Sequence, residues 1–147
     1  MGGRRGFMYI PFLEYHNLGQ GNLTGGHMHE MIKVLKALSD PKRLTIVKML
    51  HHREHMCVCE MQSVLGITQP SVSKHLKVLE NAGVVEPERD GVWVNYSLQN
   101  IQQGSELEGI IDAILLWMDR DEETVLLLKR VDDVDRNNII NTEKSPK

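Results

Sequence analysis

The stretch Thr68-Gln69-Pro70-Ser71-Val72-Ser73-Lys74-His75-Leu76-Lys77-Val78-Leu79 decides how this chain is read. Val72, Leu76 and Leu79 recur at helical spacing and form an inward stripe, with Thr68 as the N-cap. A step of about 100° per residue then turns Gln69, Pro70, Ser71, Ser73, Lys74 and Lys77 outward. Small hydroxyls and an amide near a helix N-terminus can approach base edges and phosphates, and lysines can engage the phosphate backbone. His75 sits beside the buried stripe, where a half-buried, hydrogen-bonded role competes with a nucleic-acid contact. A solvated helix in isolation would carry the same residues, so the flanking sequence decides between the readings.

Working backwards, Gly66 caps a short helix expected over 57–65. Before it, Leu44, Val47 and Leu50 make the stripe of a helix that ends in His51-His52-Arg53-Glu54-His55. Ser39-Asp40-Pro41 starts that helix, with a capping side chain and a proline where a missing N–H matters least. Lys42 and Arg43 could there grip phosphate or pair with nearby acids. Met28, Met31, Ile32, Leu35 and Leu38 predict a first amphipathic helix. Working forwards, Gly83 ends the outward-facing helix, and two β runs, 84–89 and 92–98, flank Asp90-Gly91 as a hairpin. Val94, Tyr96 and Leu98 share one face of it; Trp93, Asn95 and Ser97 share the other. A last helix starts near Gly104 with a stripe of Leu107, Ile110, Ile111, Ile114, Leu115 and Met118. The pattern leaves open whether that helix runs on through Leu128 or breaks near Asp119-Arg120-Asp121, and the end from Asn137 is expected to fray.

This layout is mainly α with a β-hairpin wing (α+β), a winged helix-turn-helix. The sequence also resembles the ArsR/SmtB family of metal-sensing repressors, over about residues 28–118. The residues carrying the resemblance are Ala37-Leu38-Ser39-Asp40-Pro41-Lys42-Arg43-Leu44, the stretch from Thr68 to Leu79, Gly83-Val84-Val85 and Val94-Asn95-Tyr96-Ser97-Leu98. It implies a repressor that binds double-stranded operator DNA as a homodimer, through Gln69, Pro70, Ser71, Ser73, Lys74, His75, Lys77 and Arg89 of the wing. It implies dimerisation through the first and last helices, by Met31, Leu35, Leu107, Ile110, Ile111, Ile114 and Met118. Cys57-Val58-Cys59-Glu60-Met61 resembles the sensor motif of arsenic- and antimony-responsive members, which implies As(III) or Sb(III) as inducer on Cys57 and Cys59. Where such a site often has a third cysteine this chain has Gln62, leaving water, a small cellular thiol or His55 to complete the shell. A Cd, Pb or Zn site would draw on the N-terminal arm, which offers only His16, His27 or His29. Zinc or nickel binding at the last helix is disfavoured, because all seven histidines lie at or before His75. The wing departs from the family's basic pattern, with Arg89 set among Glu86, Glu88 and Asp90.

The spacing of the two cysteines, the only ones in the chain, bears independently on the site. A bridge across one intervening residue closes a small strained ring and is a poor staple; in a reducing compartment such a pair more often binds metal or senses redox state. On a regular helix residues i and i+2 stand about 200° apart, so binding one ion is expected to unwind the first turn. In extended backbone both sulfurs project to one side, about 2.3 Å from a shared soft ion.

The 147 residues suit one domain, expected at 27–119, with an extension at 1–26 and a helical extension and tail at 120–147. Seven of the twelve glycines lie in the first 26 residues, whose apolar positions follow no period, so disorder is expected there. Gly26-His27-Met28 also resembles a cloning junction, and Met28 and Met31 are plausible starts. Arg4-Arg5 and the apolar run behind it resemble an export signal, but Pro11 and Glu14 interrupt the run; a cytoplasmic protein with no membrane partner is expected. The net charge of −3 neither advertises nor excludes DNA binding, which depends on where the positive charges sit. No phosphate-binding glycine loop, nucleophile–base pair or cofactor motif argues for an enzyme.

Overall fold

The structure, a computed structural model, describes residues 26–99 and 105–143. The extension expected at 1–26, apart from Gly26, lies outside the described residues, as do His16 and Gly104. Among the described residues seven helices and three strands follow in the order α1 (Gly26–Leu38), α2 (Pro41–His52), β1 (Met56–Cys57), α3 (Val58–Leu65), α4 (Gln69–Asn81), β2 (Val85–Asp90), β3 (Trp93–Leu98), α5 (Glu106–Met118), α6 (Glu122–Asp133) and α7 (Arg136–Glu143).

Local chemistry sets most boundaries. Asp40 caps α2 by accepting the Arg43 N–H, with Pro41 in the first turn. Gly66 ends α3 with φ +64°, left-handed backbone that glycine adopts without strain. Gly91, at φ +62°, lets β2 turn back into β3, so the turn falls at Gly91-Val92, with Asp90 paired to Trp93. At the other end the helix from Glu106 breaks after Met118, where Asp121 restarts the chain by accepting the Thr124 N–H at 2.9 Å. Instead of fraying from Asn137, residues 136–143 form α7.

The core is assembled from every layer: Ile46, Val47, Met49 and Leu50 of α2, Met61 of α3, Val72, Leu76 and Leu79 of α4, Val84 and Val85 at the base of the wing. The inward stripe expected of α4 is thus fully buried. Val131 of α6 is also fully buried, so the C-terminal extension contributes to the core.

The sheet has one strand more than the hairpin. Met56–Cys57 pairs antiparallel with β3, in the order β1-β3-β2, with Met56 opposite Tyr96 and Cys57 opposite Asn95. On β3 Asn95, opposite Cys57 of the added strand, is buried, while Val94 near the turn is exposed. Tyr96 is half-buried on the core; burial, then Glu80, push its phenol above the usual range, with Lys77 opposing. Among the described residues no helix is long and apolar enough to cross a membrane.

Candidate nucleic-acid interface and thiol site

Helix α4 presents the surface that its sequence predicts. Gln69, Pro70, Ser73, Lys74 and Lys77 are exposed, and Ser71 and His75 are half-buried. Thr68 makes no side-chain cap bond to the helix backbone; its hydroxyl instead lies 2.8 Å from the Ser71 hydroxyl, tying the two together in front of the first turn. His75 places Nδ1 3.7 Å from the Asp40 carboxylate, which joins α4 to the start of α2. The Arg43 backbone N–H, then the Arg43 and His75 charges, hold the Asp40 carboxyl below its ordinary value, against an opposing effect of burial. Lys77 reaches Glu80 at 3.1 Å, whereas Lys74 forms no ion pair among the described residues. Lys42 is exposed, but Arg43 is spent on the turn: Nε donates to the Ala37 carbonyl and Nη2 to that of Lys36 at 3.1 Å. Arg89 is exposed on β2 beside Glu88 and Asp90.

Behind α4 lies the cysteine pair. Cys57 and Cys59 are joined as a disulfide, with Cα atoms 5.4 Å apart. The expectation that α3 begins at residue 57, and must unwind before the sulfurs can meet, does not hold. Cys57 is the N-cap, with extended backbone at φ −81° and ψ 163°, and α3 begins at Val58. An extended residue just before a helix aims its side chain back over the first turn, where Cys59 lies, so the sulfurs meet with α3 intact. Cys57 is buried and Cys59 half-buried.

A polar network holds this corner. Cys57 Sγ accepts the Glu60 N–H at 3.4 Å, and Glu60 Oε2 accepts the Cys57 N–H at 2.8 Å, a reciprocal capping box with sulfur in place of a hydroxyl. Glu60 Oε1 lies 3.1 Å from Arg53 Nη2. Arg53 Nη1 in turn donates to the carbonyls of Val131 and Val134, each at 2.8 Å. The sulfur cap is thereby tied to α6. Glu60 and Arg53 were invisible to sequence reasoning as a pair, although a glutamate three residues after a capping side chain is the signal for such a box. A buried Lys48, paired with Asp119 at the end of α5, likewise carried no advance signal.

His55, one of the three candidates to complete the shell, takes positive φ (59°) and lies 3.4 Å from the Glu88 carboxylate on the wing. Among the described residues no three His, Cys, Asp or Glu side chains cluster as a metal site. Only when reduced would the two sulfurs be free as a soft donor pair.

The faces expected to pair two copies divide. Met31 and Leu35 of α1 are exposed, together with Met28 and Ile32. On α5, however, Ile111 is 3% exposed and lies in the chain's own core, and Leu107, Ile110, Ile114 and Met118 are half-buried. Ile111 is therefore corrected from a partner contact to a core residue: the stripe it heads faces inward, and the opposite side shows Leu116 and Trp117.

A helix pair with a glycine turn, a flat polar reading face and a two-stranded wing define a winged helix-turn-helix regulator. The model of the bacterial regulatory protein arsR family matches residues 40–86. Over 103 residues the chain is 35% identical to the arsenic resistance transcriptional regulator ArsR1 of Pseudomonas putida, covering 66% of this chain and 80% of that one. Over 67 residues it is 39% identical to the cadmium resistance regulatory protein CadC of Listeria innocua, covering 46% of this chain and 56% of that one. The crystal structure of the transcriptional repressor BigR from Xylella fastidiosa superposes with a TM-score of 0.54 at 29% identity, covering 65% of this chain and 90% of that one. The chain belongs to the arsR family of transcriptional regulators.

Proposed function

We propose that this chain is a cytoplasmic, homodimeric repressor that grips operator DNA with α4 and releases it when As(III) or Sb(III) binds Cys57 and Cys59. The observation carrying the reading is the meeting of two sulfurs at the N-terminus of α3, the helix that packs on α4. Reduced, the pair offers two soft thiolates. Cys57 Sγ is also the cap acceptor of α3, and Cys57 is paired to β3 of the wing. A sulfur that turns to an ion gives up the Glu60 N–H, so the disturbance reaches both α3 and the wing. Linkage then requires that the ion weaken DNA binding by the same factor by which DNA weakens ion binding; about 3 kcal/mol corresponds to roughly 150-fold. The similarity to an arsenic resistance regulator supports this choice of ion.

The test is a gel-shift titration of the reduced protein on the DNA upstream of its gene. Arsenite and antimonite should each dissociate the complex at stoichiometric excess, with zinc far less effective. A complex that survives saturating arsenite and antimonite refutes the reading.

The observed disulfide favours a second reading, a redox-responsive repressor. With hydrogen peroxide as oxidant, two S–H bonds and the O–O bond break, one S–S bond forms, and the protons leave in two waters. Peroxide in the same titration would then release DNA, and a thiol reductant would restore binding. A Cd-, Pb- or Zn-responsive variant of the site draws support from the similarity to CadC, and cadmium in the same titration tests it.

A further inference from the structure

Asn95 stands directly opposite Cys57 in the β1–β3 pair. Opposed residues of an antiparallel pair send their side chains to the same face, with Cβ atoms about 5 Å apart. Asn95 is only 5% exposed, and its Oδ1 is buried with no hydrogen-bond partner among the described residues. Buried acceptors are nearly always matched, so a lone one beside a sulfur pair marks where a donor belongs. Glu88, next to Asn95 in the same row across β3, lies 3.4 Å from His55 Nδ1 and as a carboxylate supplies no hydrogen-bond donor.

We infer that Asn95 is the third contact of the thiol site, its carboxamide oxygen accepting a hydrogen bond from a hydroxyl carried by the bound metalloid. The inference rests on Cys57 and Cys59 being the ligands. When arsenous acid meets the two thiols, two S–H and two As–OH bonds break, two As–S bonds form and two waters leave. With no third cysteine in the chain, one As–OH remains. A neutral carboxamide accepts that hydrogen bond without setting a further charge beside the sulfurs. It also makes the pocket selective for a trivalent species that retains oxygen.

The experiment uses two probes on the reduced full-length protein without DNA, read by titration calorimetry. Arsenite bound to two sulfurs keeps its hydroxyl, whereas phenylarsine oxide bound the same way has carbon in that position. Asn95→Leu, close in shape, should bind arsenite about tenfold more weakly, the loss expected for one neutral hydrogen bond, and phenylarsine oxide within about twofold of wild type. Asn95→Ala serves if the leucine variant does not fold, with the same expectation. Unchanged arsenite affinity overturns the inference, because the acceptor's donor is then an ordinary water. Equal weakening of both probes also overturns it and leaves Asn95 a structural residue. If the wild type binds phenylarsine oxide but not arsenite, the inference falls while the sulfur reading survives; if it binds neither, both fall.

Discussion

A sulfur at position 57 does what a hydroxyl or carboxylate does at most helix starts: it accepts the N–H of the third residue of α3. Cysteine is a weak acceptor, so the cap of α3 is soft at the place where a ligand would compete for it. Serine keeps the shape and accepts more strongly. Cys57→Ser should therefore leave thermal stability within about 1 kcal/mol of wild type, and operator affinity intact, while arsenite no longer dissociates the complex. Loss of operator binding in that variant would contradict the division of labour between α3 and α4. Asp40 is the other capping residue with consequences. Its carboxyl is held below the ordinary 3.8, chiefly by the Arg43 N–H, so the charged form belongs to the fold. The sign follows: this stability is fully present above the unfolded pKa and is lost as pH falls through the lowered folded one. An asparagine in its place would still cap the helix but carries no charge. Urea unfolding should find Asp40→Asn weaker than wild type at pH 7, by about 0.5 kcal/mol, with the gap closing below pH 3.8. A gap that widens on acidification would reverse the assignment.

Among the elements, α3 is fixed by what surrounds it: Gly66 behind, the sulfur cap in front, and α6 tied in through Arg53. Arg53→Met removes a guanidinium that serves Glu60 and two carbonyls of the extension, and strands a carboxylate only 8% exposed. It should destabilise by about 3 kcal/mol in chemical unfolding. Glu60→Gln should do less, since an amide oxygen can still accept the Cys57 N–H. Equal losses would mean that the ion pair itself, and not the charge left stranded on Glu60, sets the cost. Elements of this kind mark where the sequence stops being legible. The stripe of α4, the proline start of α2 and the glycine stops are written in spacing and cap chemistry, and each emerged as expected. What spacing could not convey is pairing over long separation. β1 is two residues long, far below any periodic signal, yet it buries Asn95 and takes Cys57 out of the helix. Arg53 finds its partners in α6 and at its C-cap about eighty residues away, a fact of packing rather than of local pattern. The helical spacing of α5 was legible, but not its outcome: Ile111 went to the core and Trp117 to the surface.

At the scale of the whole molecule, one copy is poorly equipped to hold DNA. The formal charge is −3, Lys77 is partnered by Glu80, and the wing offers Arg89 among acids. Each phosphate neutralised contributes a slope of about 0.9 to the salt dependence of binding, so a single α4 supplies only a shallow one. Two copies with their reading helices about 34 Å apart double the contacts and match successive turns of the groove. The surface suits such pairing: Met28, Met31 and Leu35 on α1 are 60%, 43% and 45% exposed, and Leu116 and Trp117 on α5 are 62% and 81% exposed. Large apolar side chains so far from water's preference, on the two helices that frame the reading domain, are what a second copy would cover. Trp117→Glu tests this with little risk to the fold, because substitutions at such exposed positions usually shift stability by no more than about 0.5 kcal/mol. Sedimentation equilibrium should find the wild type dimeric and the variant monomeric, with an unchanged circular dichroism spectrum. Operator affinity should fall by more than about 100-fold, and the slope of log affinity against log salt should drop to about half, because half the phosphate contacts go with the second copy. A variant that stays dimeric with full affinity places the partner elsewhere than on α5. One that becomes monomeric yet keeps the slope shows instead that a single α4 with its wing holds the DNA unaided.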